Sequence, residues 1–441
     1  MSSAPWRMLA ALVLGALALP LISPPAHAQE ARRRWEVQRQ IRLDKFDLVL
    51  PGVMRELGID MWITAMREDH YDPLYEDLGR GYPSRQAYYV FTDRGGDRIE
   101  RIAIGVHGYL IAQSGAYDRL LSDVDLGAFV RERDPKRIAV NMSSGIGAAD
   151  GLSYTMHAHL VETLGPTYAA RLVSSEQLVS RFRSRRVALE IVAFGEAAKH
   201  SVELAERALS NEVITPGKTM LEDVAWWLQD RLLERGLSSV FDMPSIYITG
   251  PEGIEATSNT RIVQPGDVLM IDWGVKLMNF QTDMKRVAYV LKPGEREAPE
   301  SIRKAYDTAL EVQRVLRRHI RPGRRGDETL DELYRQVKAA GWEPIEFNKP
   351  NAGPSVDVTI GMHPVGNTGH GVGPSITTWQ PLQSTFVIEA PHMFSFEYFT
   401  YVPIPEWGGR KLRIPVEDDA LVTERGVEWL HPAARRVLVI R

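Results

Sequence analysis

Cysteine is absent from the chain. A chain without cysteine forms no disulfide bond and offers a metal ion no thiolate ligand. Its stability must therefore come from a buried core, and any metal that it carries must be held by histidine and carboxylate side chains. A strong excess of one charge is absent too, since the formal net charge is −4. This near balance gives no indication of nucleic-acid binding, and we expect none.

An apolar run of membrane-spanning length is also missing. Residues 8–22 are apolar but number only about 15 and include Pro20, whereas a spanning helix needs about 20 residues. The run follows Arg7 and precedes a small-x-small pattern that ends at Ala28. This order predicts a secretory signal peptide over residues 1–28, with a membrane anchor as the alternative. We expect a secreted or periplasmic protein that has no membrane attachment after cleavage.

The length of 441 residues predicts two to three domains. Residues 29–183 mix helical segments with strand-like ones such as "AYYVFTD" and "IERIAIGV", which predicts a smaller mixed α/β domain. The pattern changes at the basic run "RFRSRR", residues 181–186, which we interpret as a solvated face. Residues 184–441 are predicted to form a second domain of the α+β class.

Helical periodicity and an internal match describe this second domain. Apolar residues recur every three or four positions at Val187, Ile191, Phe194, Ala198, Val202, Ala205 and Leu209. Two later segments, residues 216–236 and 322–341, each open with Pro-Gly, continue as a helix and close with glycine. The match predicts an internally duplicated domain whose halves are related by a pseudo-two-fold axis.

Acidic residues interrupt several apolar strands of the second domain. Asp272 lies in "LMIDWG", and Asp283 follows it by 11 residues, so a hairpin can turn both to one face. Glu389 in "FVIEAP" and Glu417 in "RIPVED" are placed similarly. A buried carboxylate is costly unless it is paired or binds a cation. The alternative for Asp272 is a turn cap or an ion pair with a neighbouring base, Lys285 or Arg286.

One histidine completes this set of candidate ligands. His370 lies in "NTGHGVG", and the glycines around it allow the backbone to approach the site closely. One imidazole and four carboxylates suit a pair of divalent ions such as Mn, Co, Zn or Fe. Two ions about 3.5–4 Å apart would hold a bridging hydroxide as a nucleophile.

These segments resemble the pita-bread metallopeptidases, which include methionine aminopeptidase, aminopeptidase P and prolidase. The matching pieces are "IDWG", "TDMKR", "TGHGVG", "VIEAP" and "VEDDALVTERG", in the family's order and with its eleven-residue step between the aspartates. The resemblance covers roughly residues 185–441, and the N-terminal unit is similar to the creatinase-type domain of proline-specific members. It implies a pita-bread catalytic domain with pseudo-two-fold duplication behind a smaller mixed α/β domain.

The resemblance also implies a role for each ligand. Asp272 would chelate one metal ion, Asp283 and Glu417 would bridge the two ions, and His370 and Glu389 would complete the other. Glu389 would also exchange a proton with the bridging water. The step of 19 residues from His370 to Glu389 is shorter than is usual in the family.

The chain departs from the family pattern around this set. Thr377 and Thr378 stand where the family has a His-Glu pair, residues 253–261 lack a second family histidine, and Pro415 replaces an arginine. Losing one transition-state donor typically costs about a hundred- to a thousandfold in rate. The candidates to replace the missing donors are His363, His392, Thr377 and Arg413, of which we assign His363 and Arg413 to the catalytic site.

Three functions agree with these features. The first is an exported dinuclear metallopeptidase, an aminopeptidase or dipeptidase that removes the N-terminal residue of peptides at Xaa-Pro bonds. The second is a metal-dependent lyase or hydrolase of a non-peptide substrate. The third is a binding protein that keeps its metal but has little turnover. The expected partner is a peptide or small molecule, and the resemblance implies a homo-oligomer.

Overall fold

The computed structural model describes residues 26–122, 124–367 and 370–441. Most of the expected signal peptide, residues 1–25, lies outside the described residues, so its cleavage stays a prediction. Within the described part, none of the helices has both the length and the apolar character needed to cross a membrane.

Helices and strands alternate along the described chain. The helices are α1 (Ala26–Asp44), α2 (Leu50–Glu56), α3 (Tyr75–Leu78), α4 (Tyr109–Gln113), α5 (Leu126–Arg133), α6 (Tyr154–Ala169), α7 (Glu176–Ser184), α8 (Ala188–Ala208), α9 (Leu221–Glu234), α10 (Glu300–His319), α11 (Gly326–Ala339) and α12 (Pro381–Ser384). A π-helical segment, Lys45–Val49, joins α1 to α2, and 3₁₀ turns occupy Gly147–Ala149 and Pro405–Trp407.

The strands belong to three sheets. They are β1 (Met61–Met66), β2 (Tyr82–Thr92), β3 (Glu100–His107), β4 (Arg119–Leu121), β5 (Ile138–Val140), β6 (Leu172–Ser174), β7 (Ser238–Ser239), β8 (Ser245–Gly250), β9 (Gly253–Glu255), β10 (Val268–Trp273), β11 (Val275–Leu277), β12 (Phe280–Gln281), β13 (Met284–Val290), β14 (Glu343–Pro344), β15 (Asp357–Ile360), β16 (His363–Pro364), β17 (His392–Pro403), β18 (Lys411–Thr423), β19 (Gly426–Trp429) and β20 (Leu438–Ile440).

The first sheet has six strands in the order β4-β3-β2-β1-β5-β6. Strands β2 and β3 pair antiparallel across the turn predicted from "RGGDR", while β1 and β5 run parallel. One sheet face packs on α5 and α6 through residues such as Phe129 and Leu160. The other buries Trp62 against Phe91 and Phe182. The predicted mixed α/β character of this unit is confirmed.

The second sheet has eleven strands and carries the candidate site. Its path is β14-β15-β17-β18-β13-β10-β8-β9, with β16, β19 and β20 added beside β17, β18 and β13. Two helix pairs cover it: α8 and α9 have 21 and 14 residues, and α10 and α11 have 20 and 14. The matching lengths confirm the predicted pseudo-two-fold duplication, which places β13 and β18 side by side at the centre.

The basic run at residues 181–186 is not a solvated face. The side chain of Arg183 is 1% exposed and binds Asp77 at 2.6 Å, and Arg186 is 2% exposed and binds Glu190 at 3.1 Å. The interpretation from sequence was wrong because each arginine meets a carboxylate from another segment or from the following helix turn. The run therefore joins the first unit to the second instead of facing solvent.

Candidate metal site

Four charged residues form one row across the centre of the second sheet. Asp272 on β10 lies opposite Lys285 on β13, Lys285 lies opposite Glu417 on β18, and Glu417 lies opposite Glu397 on β17. Directly opposed residues on neighbouring strands point to the same face. The sheet register therefore brings together three carboxylates and one ammonium that are up to 145 positions apart in the chain.

The Lys285 ammonium lies between the three carboxylates. Its Nζ is 2.6 Å from Glu417 Oε2, 2.7 Å from Glu397 Oε1 and 3.2 Å from Asp272 Oδ2. The lysine side chain is 5% exposed. The ion pair of Asp272 with Lys285, which the sequence left open as an alternative to metal binding, is therefore present.

Asp283 adds a fourth carboxylate on the same face. It immediately precedes β13, two positions before Lys285, and its backbone N–H donates to Asp419 Oδ1 at 3.2 Å. Its own Oδ1 is buried and has no hydrogen-bond partner among the described residues, and the same holds for Asp272 Oδ1. Buried carboxylate oxygens without donors are typical of sites where a cation is needed.

Two histidines face these carboxylates. His363 on β16 is 1% exposed, and its ring lies 4.5 Å from that of His370. His363 Nδ1 lies 3.2 Å from the Pro364 carbonyl, which can only accept, so Nδ1 carries the proton. The unprotonated Nε2 then lies 3.7 Å from Asp283 Oδ2 and from Glu397 Oε2, and 3.8 Å from Glu417 Oε1. A backbone carbonyl that fixes the second nitrogen is typical of histidines that ligate metals.

Six side chains make up what we call the carboxylate–histidine cluster: Asp272, Asp283, His363, His370, Glu397 and Glu417. Within it, three groups each offer ligand atoms that lie within 4.8 Å of one another. The groups are Asp283, His363 and His370; His363, Glu397 and Glu417; and Asp272, Asp283 and Glu417. Imidazole with carboxylate suits Mn, Fe, Co or Zn. The donor set and the donor-free oxygens therefore fit a divalent ion.

The electrostatics of the cluster favour a bound cation. Burial raises the pKa of Asp283 well above its usual range, and the neighbouring Glu417 and Asp272 raise it further. Burial also raises the pKa values of Glu397 and Glu417, although Lys285 opposes this. Burial lowers the pKa of His363 well below its usual range, which keeps the ring neutral. A divalent ion would hold these carboxylates ionised and would use the neutral imidazole as a ligand.

Glycine allows the segment carrying His370 to lie against β16. A Cβ on Gly371 would come 2.9 Å from the Pro364 carbonyl oxygen. The close approach expected from the glycines is therefore made to the strand that carries His363, and this brings the two rings together. Arg186 also contacts the chain just before His370, since it donates to Asn367 Oδ1 at 2.8 Å and to the Val365 carbonyl at 3.1 Å.

The amino-acid sequence matches the model of one known protein family. A family model described as "Metallopeptidase family M24" matches residues 193–424, which is more than half of the chain and includes the whole cluster. The chain belongs to metallopeptidase family M24.

Two curated proteins similar to this M24 chain are named Xaa-Pro dipeptidase. One, from Pyrococcus furiosus, is 25% identical over 253 residues, which cover 55% of this chain and 63% of that protein. The other, from Pyrococcus horikoshii, is 25% identical over 246 residues, which cover 54% and 60%. The matched stretch of this M24 chain thus spans less than two thirds of the length of either relative.

Solved structures show the same fold over nearly the whole M24 chain. An X-Pro aminopeptidase from Thermotoga maritima has a TM-score of 0.64 at 18% identity, covering 88% of this chain and 99% of that chain. An Xaa-Pro dipeptidase from Bacillus anthracis has a TM-score of 0.61 at 19% identity, covering 93% and 99%. These likenesses confirm the predicted pita-bread fold preceded by an N-terminal domain.

Glu389 lies outside the cluster of this M24 chain. It was expected inside an apolar strand, but β17 begins at His392, and Glu389 lies in the irregular segment before it. Its side chain is 40% exposed and pairs with Arg185, whose Nε lies 2.7 Å from Glu389 Oε2. The expectation of a buried strand was wrong because the strand starts after Pro391. Glu397, eight positions further on, lies opposite Glu417 in the row of charged residues where Glu389 was expected.

Arg413 and His392 also lie apart from the ligand groups of this M24 chain. Arg413 is on β18, on the same face as Glu417 and four positions before it, and its guanidinium lies 3.9 Å from the ring centre of Phe399. Its charge lowers the pKa of Asp272 and Glu397 against the larger effect of burial. His392 is buried and its Nε2 lies 3.0 Å from the Pro374 carbonyl. Of the auxiliary candidates, His363 alone belongs to a ligand group of the described residues.

Proposed function

We propose that this M24 chain is a metal-dependent peptidase that removes the N-terminal residue of peptides at Xaa-Pro bonds. One observation supports this most directly: Asp283, His363, His370, Glu397 and Glu417 converge on one small volume. The family match and the two relatives named Xaa-Pro dipeptidase agree with it.

The side chains around the cluster indicate where a substrate would enter. His370 is exposed, whereas His363, Asp283 and Glu417 are buried, so the cluster opens on the His370 side. Trp379 is 38% exposed and its ring lies 5.0 Å from that of His370. An exposed aromatic face beside the ligands can pack against an apolar ring such as that of a prolyl residue.

A second aromatic side chain lies on the same rim. Phe347 is 36% exposed, and a Cβ on Gly361 would touch Phe347 Cε2 at 3.2 Å, Glu397 Oε2 at 3.3 Å and Trp379 Nε1 at 3.6 Å. Any side chain at position 361 would press against Phe347 and Glu397, so glycine allows both aromatic residues to lie close to the cluster. We assign the exposed faces of Trp379 and Phe347 to the residue that follows the cleaved bond.

The chemistry can be assigned to residues of the chain. Asp283, His363 and His370 would hold a divalent ion, which supplies Lewis-acid activation of water and of the peptide carbonyl. Glu397 has one oxygen bound to Lys285 and the other facing His363, so it would accept the proton of the attacking water and return it to the leaving amine. Lys285 would keep that carboxylate oriented, and Trp379 would hold the substrate ring.

The test is a panel of Xaa-Pro dipeptides and Xaa-Pro-Yaa tripeptides assayed with Mn or Co. We expect cleavage of the Xaa-Pro bond, its loss in His370→Ala, and its retention in His107→Ala, which changes an exposed histidine on β3. A protein that binds metal and cleaves none of these peptides would reject the peptidase proposal. That result would favour the alternatives, a non-peptide lyase or hydrolase or a binding protein with little turnover.

One observation favours the alternatives specifically. Lys285 lies among the cluster's carboxylates, and Thr377 and Thr378 stand where the family pattern has a His-Glu pair. Changed charges beside the ligands can redirect a metal site to another substrate. Screening the purified protein against amide, ester and guanidino compounds would then identify the substrate class.

Export and assembly are further parts of the proposal. The pattern of residues 1–28 supports a signal peptide and a secreted or periplasmic location. N-terminal sequencing of the protein from an exporting host should begin after Ala28, and detection of residues 1–28 in the mature protein would contradict this. We also expect a homo-oligomer, which size-exclusion chromatography with light scattering would show.

A further inference from the structure

We propose that the Lys285 ammonium takes the place of a second metal ion, so that this centre binds one divalent ion at Asp283, His363 and His370. The inference rests on the proposed metal-dependent function only in taking the cluster to be a metal site. It replaces the pair of ions expected from the sequence with one ion and one fixed cationic side chain.

The first argument is the position of the ammonium. Nζ of Lys285 lies within 3.2 Å of oxygens from Asp272, Glu397 and Glu417, which is where a cation shared by these carboxylates would lie. Two catalytic ions lie about 3.5–4 Å apart and share carboxylates. A second dication bound by Asp272 and Glu417 would have to share their oxygens with an ammonium already between them.

The second argument is that the backbone and the burial of Lys285 favour this position. Lys285 is on the central strand β13, paired with β10 through Asp272 and with β18 through Glu417. Its side chain is 5% exposed and Nζ lies 5.5 Å from the Phe399 ring centre. To vacate the site, the ammonium would have to give up its contacts with three carboxylates. The ladder on both sides of β13 fixes the Lys285 backbone, and these contacts hold its side chain between the acids.

The third argument is charge. Four carboxylates of the cluster carry four negative charges when ionised, and two dications with a hydroxide leave a net charge of one negative unit. One dication together with the Lys285 ammonium leaves the same net charge without a hydroxide. The lysine therefore neutralises the buried acids to the same extent, and a second dication would make the site cationic unless an anion entered with it.

The fourth argument identifies the position that remains for an ion. Lys285 binds two members of the group Asp272, Asp283 and Glu417, and two members of the group His363, Glu397 and Glu417. It binds no member of the group Asp283, His363 and His370 among its described ion pairs. Three protein ligands with an open position are typical of mononuclear catalytic sites. The exposed edge of His370 provides the open side.

The experiment is a metal count on the full chain. Wild-type protein, Lys285→Met and Lys411→Met are stripped with chelator, equilibrated with excess Mn or Co, freed of unbound ion by gel filtration and measured by plasma mass spectrometry. Lys411 is the matched control, since it is a buried lysine on β18 that pairs with Asp357 at 2.6 Å, away from the cluster. We expect one ion per chain in wild type and in Lys411→Met, and two in Lys285→Met.

Each other outcome overturns the proposal. Two ions in wild type would mean that the ammonium moves aside. One ion in both wild type and Lys285→Met would mean that Lys285 does not control the count, and no ion in wild type would remove the site itself. Peptide cleavage plays no part in this measurement, so a protein that binds one ion but cleaves no Xaa-Pro bond would reject the proposed function and leave this inference standing.

A second variant covers the case in which Lys285→Met does not fold. Asp272→Asn removes a ligand that a two-ion centre needs and that the proposed one-ion group does not contain. We expect Asp272→Asn to keep one ion, as wild type does, with an unchanged visible Co spectrum. Two ions in wild type that fall to one in Asp272→Asn, or a changed Co spectrum, would contradict the proposal.

Discussion

Exchanging one glutamate at a time tests whether Glu397 belongs to the metal site in place of Glu389. In Glu397→Gln, the row loses a carboxylate whose Oε2 lies 3.7 Å from His363 Nε2 and whose Oε1 binds Lys285 at 2.7 Å. Amide replaces carboxylate with little change of shape, so the effect is one of charge. Loss of a group that adjoins the ligands typically costs about 10- to 100-fold in metal affinity, which corresponds to roughly 1.4–2.7 kcal/mol.

Glu389→Gln is the matched control for this prediction. The change removes the charge partner of Arg185, and the two side chains are 24% and 40% exposed. Exposed pairs of this kind contribute about 0–1 kcal/mol to stability, so the urea midpoint should move little. We expect the metal dissociation constant to stay within about twofold of wild type, because Glu389 belongs to none of the described ligand groups.

Isothermal titration calorimetry with Mn, performed on both variants at constant pH and salt, measures the difference. The expected order of dissociation constants is wild type equal to Glu389→Gln, with Glu397→Gln weaker by about one to two orders of magnitude. The opposite order, weak binding in Glu389→Gln and normal binding in Glu397→Gln, would refute the placement of the row and return Glu389 to the ligand set.

Three further predictions concern parts of the chain around the site. Burial raises the pKa of Asp72 to about 7, so the folded protein holds a proton that the unfolded chain loses above its ordinary pKa, and stability falls as pH rises towards 7. Asp72→Asn should reduce the fall in unfolding free energy between pH 5 and pH 8 by roughly 3 kcal/mol. Urea unfolding that shows the same pH dependence in wild type and in the variant would contradict this. Arg186→Met removes one of the two cations beside the buried Glu190, which keeps Lys45 at 3.4 Å, and also removes the donors to Asn367 and Val365. Urea unfolding should therefore show a loss of about 1–3 kcal/mol, and an unchanged unfolding free energy would contradict this role of the arginine. Trp379→Ala should raise KM for Xaa-Pro peptides about tenfold or more while the metal dissociation constant stays unchanged, and an unchanged KM would remove Trp379 from the substrate site.

The sequence predicts the strands of the site better than it predicts their contacts. Asp272 and Glu417 are detectable because each interrupts an apolar strand pattern, and the eleven-residue hairpin step from Asp272 then indicates Asp283. Helix α8 follows from periodicity, and α9, α11 and the duplication follow from matched Pro-Gly starts. These are local signals, and the structure agrees with them.

The choice between Glu389 and Glu397 depends on where one strand begins. Both residues stand among apolar neighbours, in "FVIEAP" and "FSFEYF". Pro391 ends the first segment, and the twelve-residue strand β17 that follows carries Glu397 opposite Glu417. The short step of 19 residues from His370 was the signal that could have found this, since Glu397 lengthens the step to 27.

The other contacts that the sequence did not predict join residues that are far apart in the chain. Lys285 was considered only as a local partner of Asp272, whereas its ammonium also binds Glu397, 112 positions away. His363 faces Asp283 through the pairing of β16 with β17. The buried pairing of Arg183 with Asp77, 106 positions apart, is of the same kind. Register between distant strands is set by the assembled sheet and leaves no periodic trace in the sequence.

Diffraction from crystals equilibrated with Mn, with data collected for anomalous scattering, tests the central claim most directly. The account predicts one anomalous peak about 2.0–2.3 Å from ligand atoms of Asp283, His363 and His370, with the Lys285 ammonium still between Asp272, Glu397 and Glu417. A peak bound by Glu389, two peaks with Lys285 displaced, or no peak in the carboxylate–histidine cluster would contradict it.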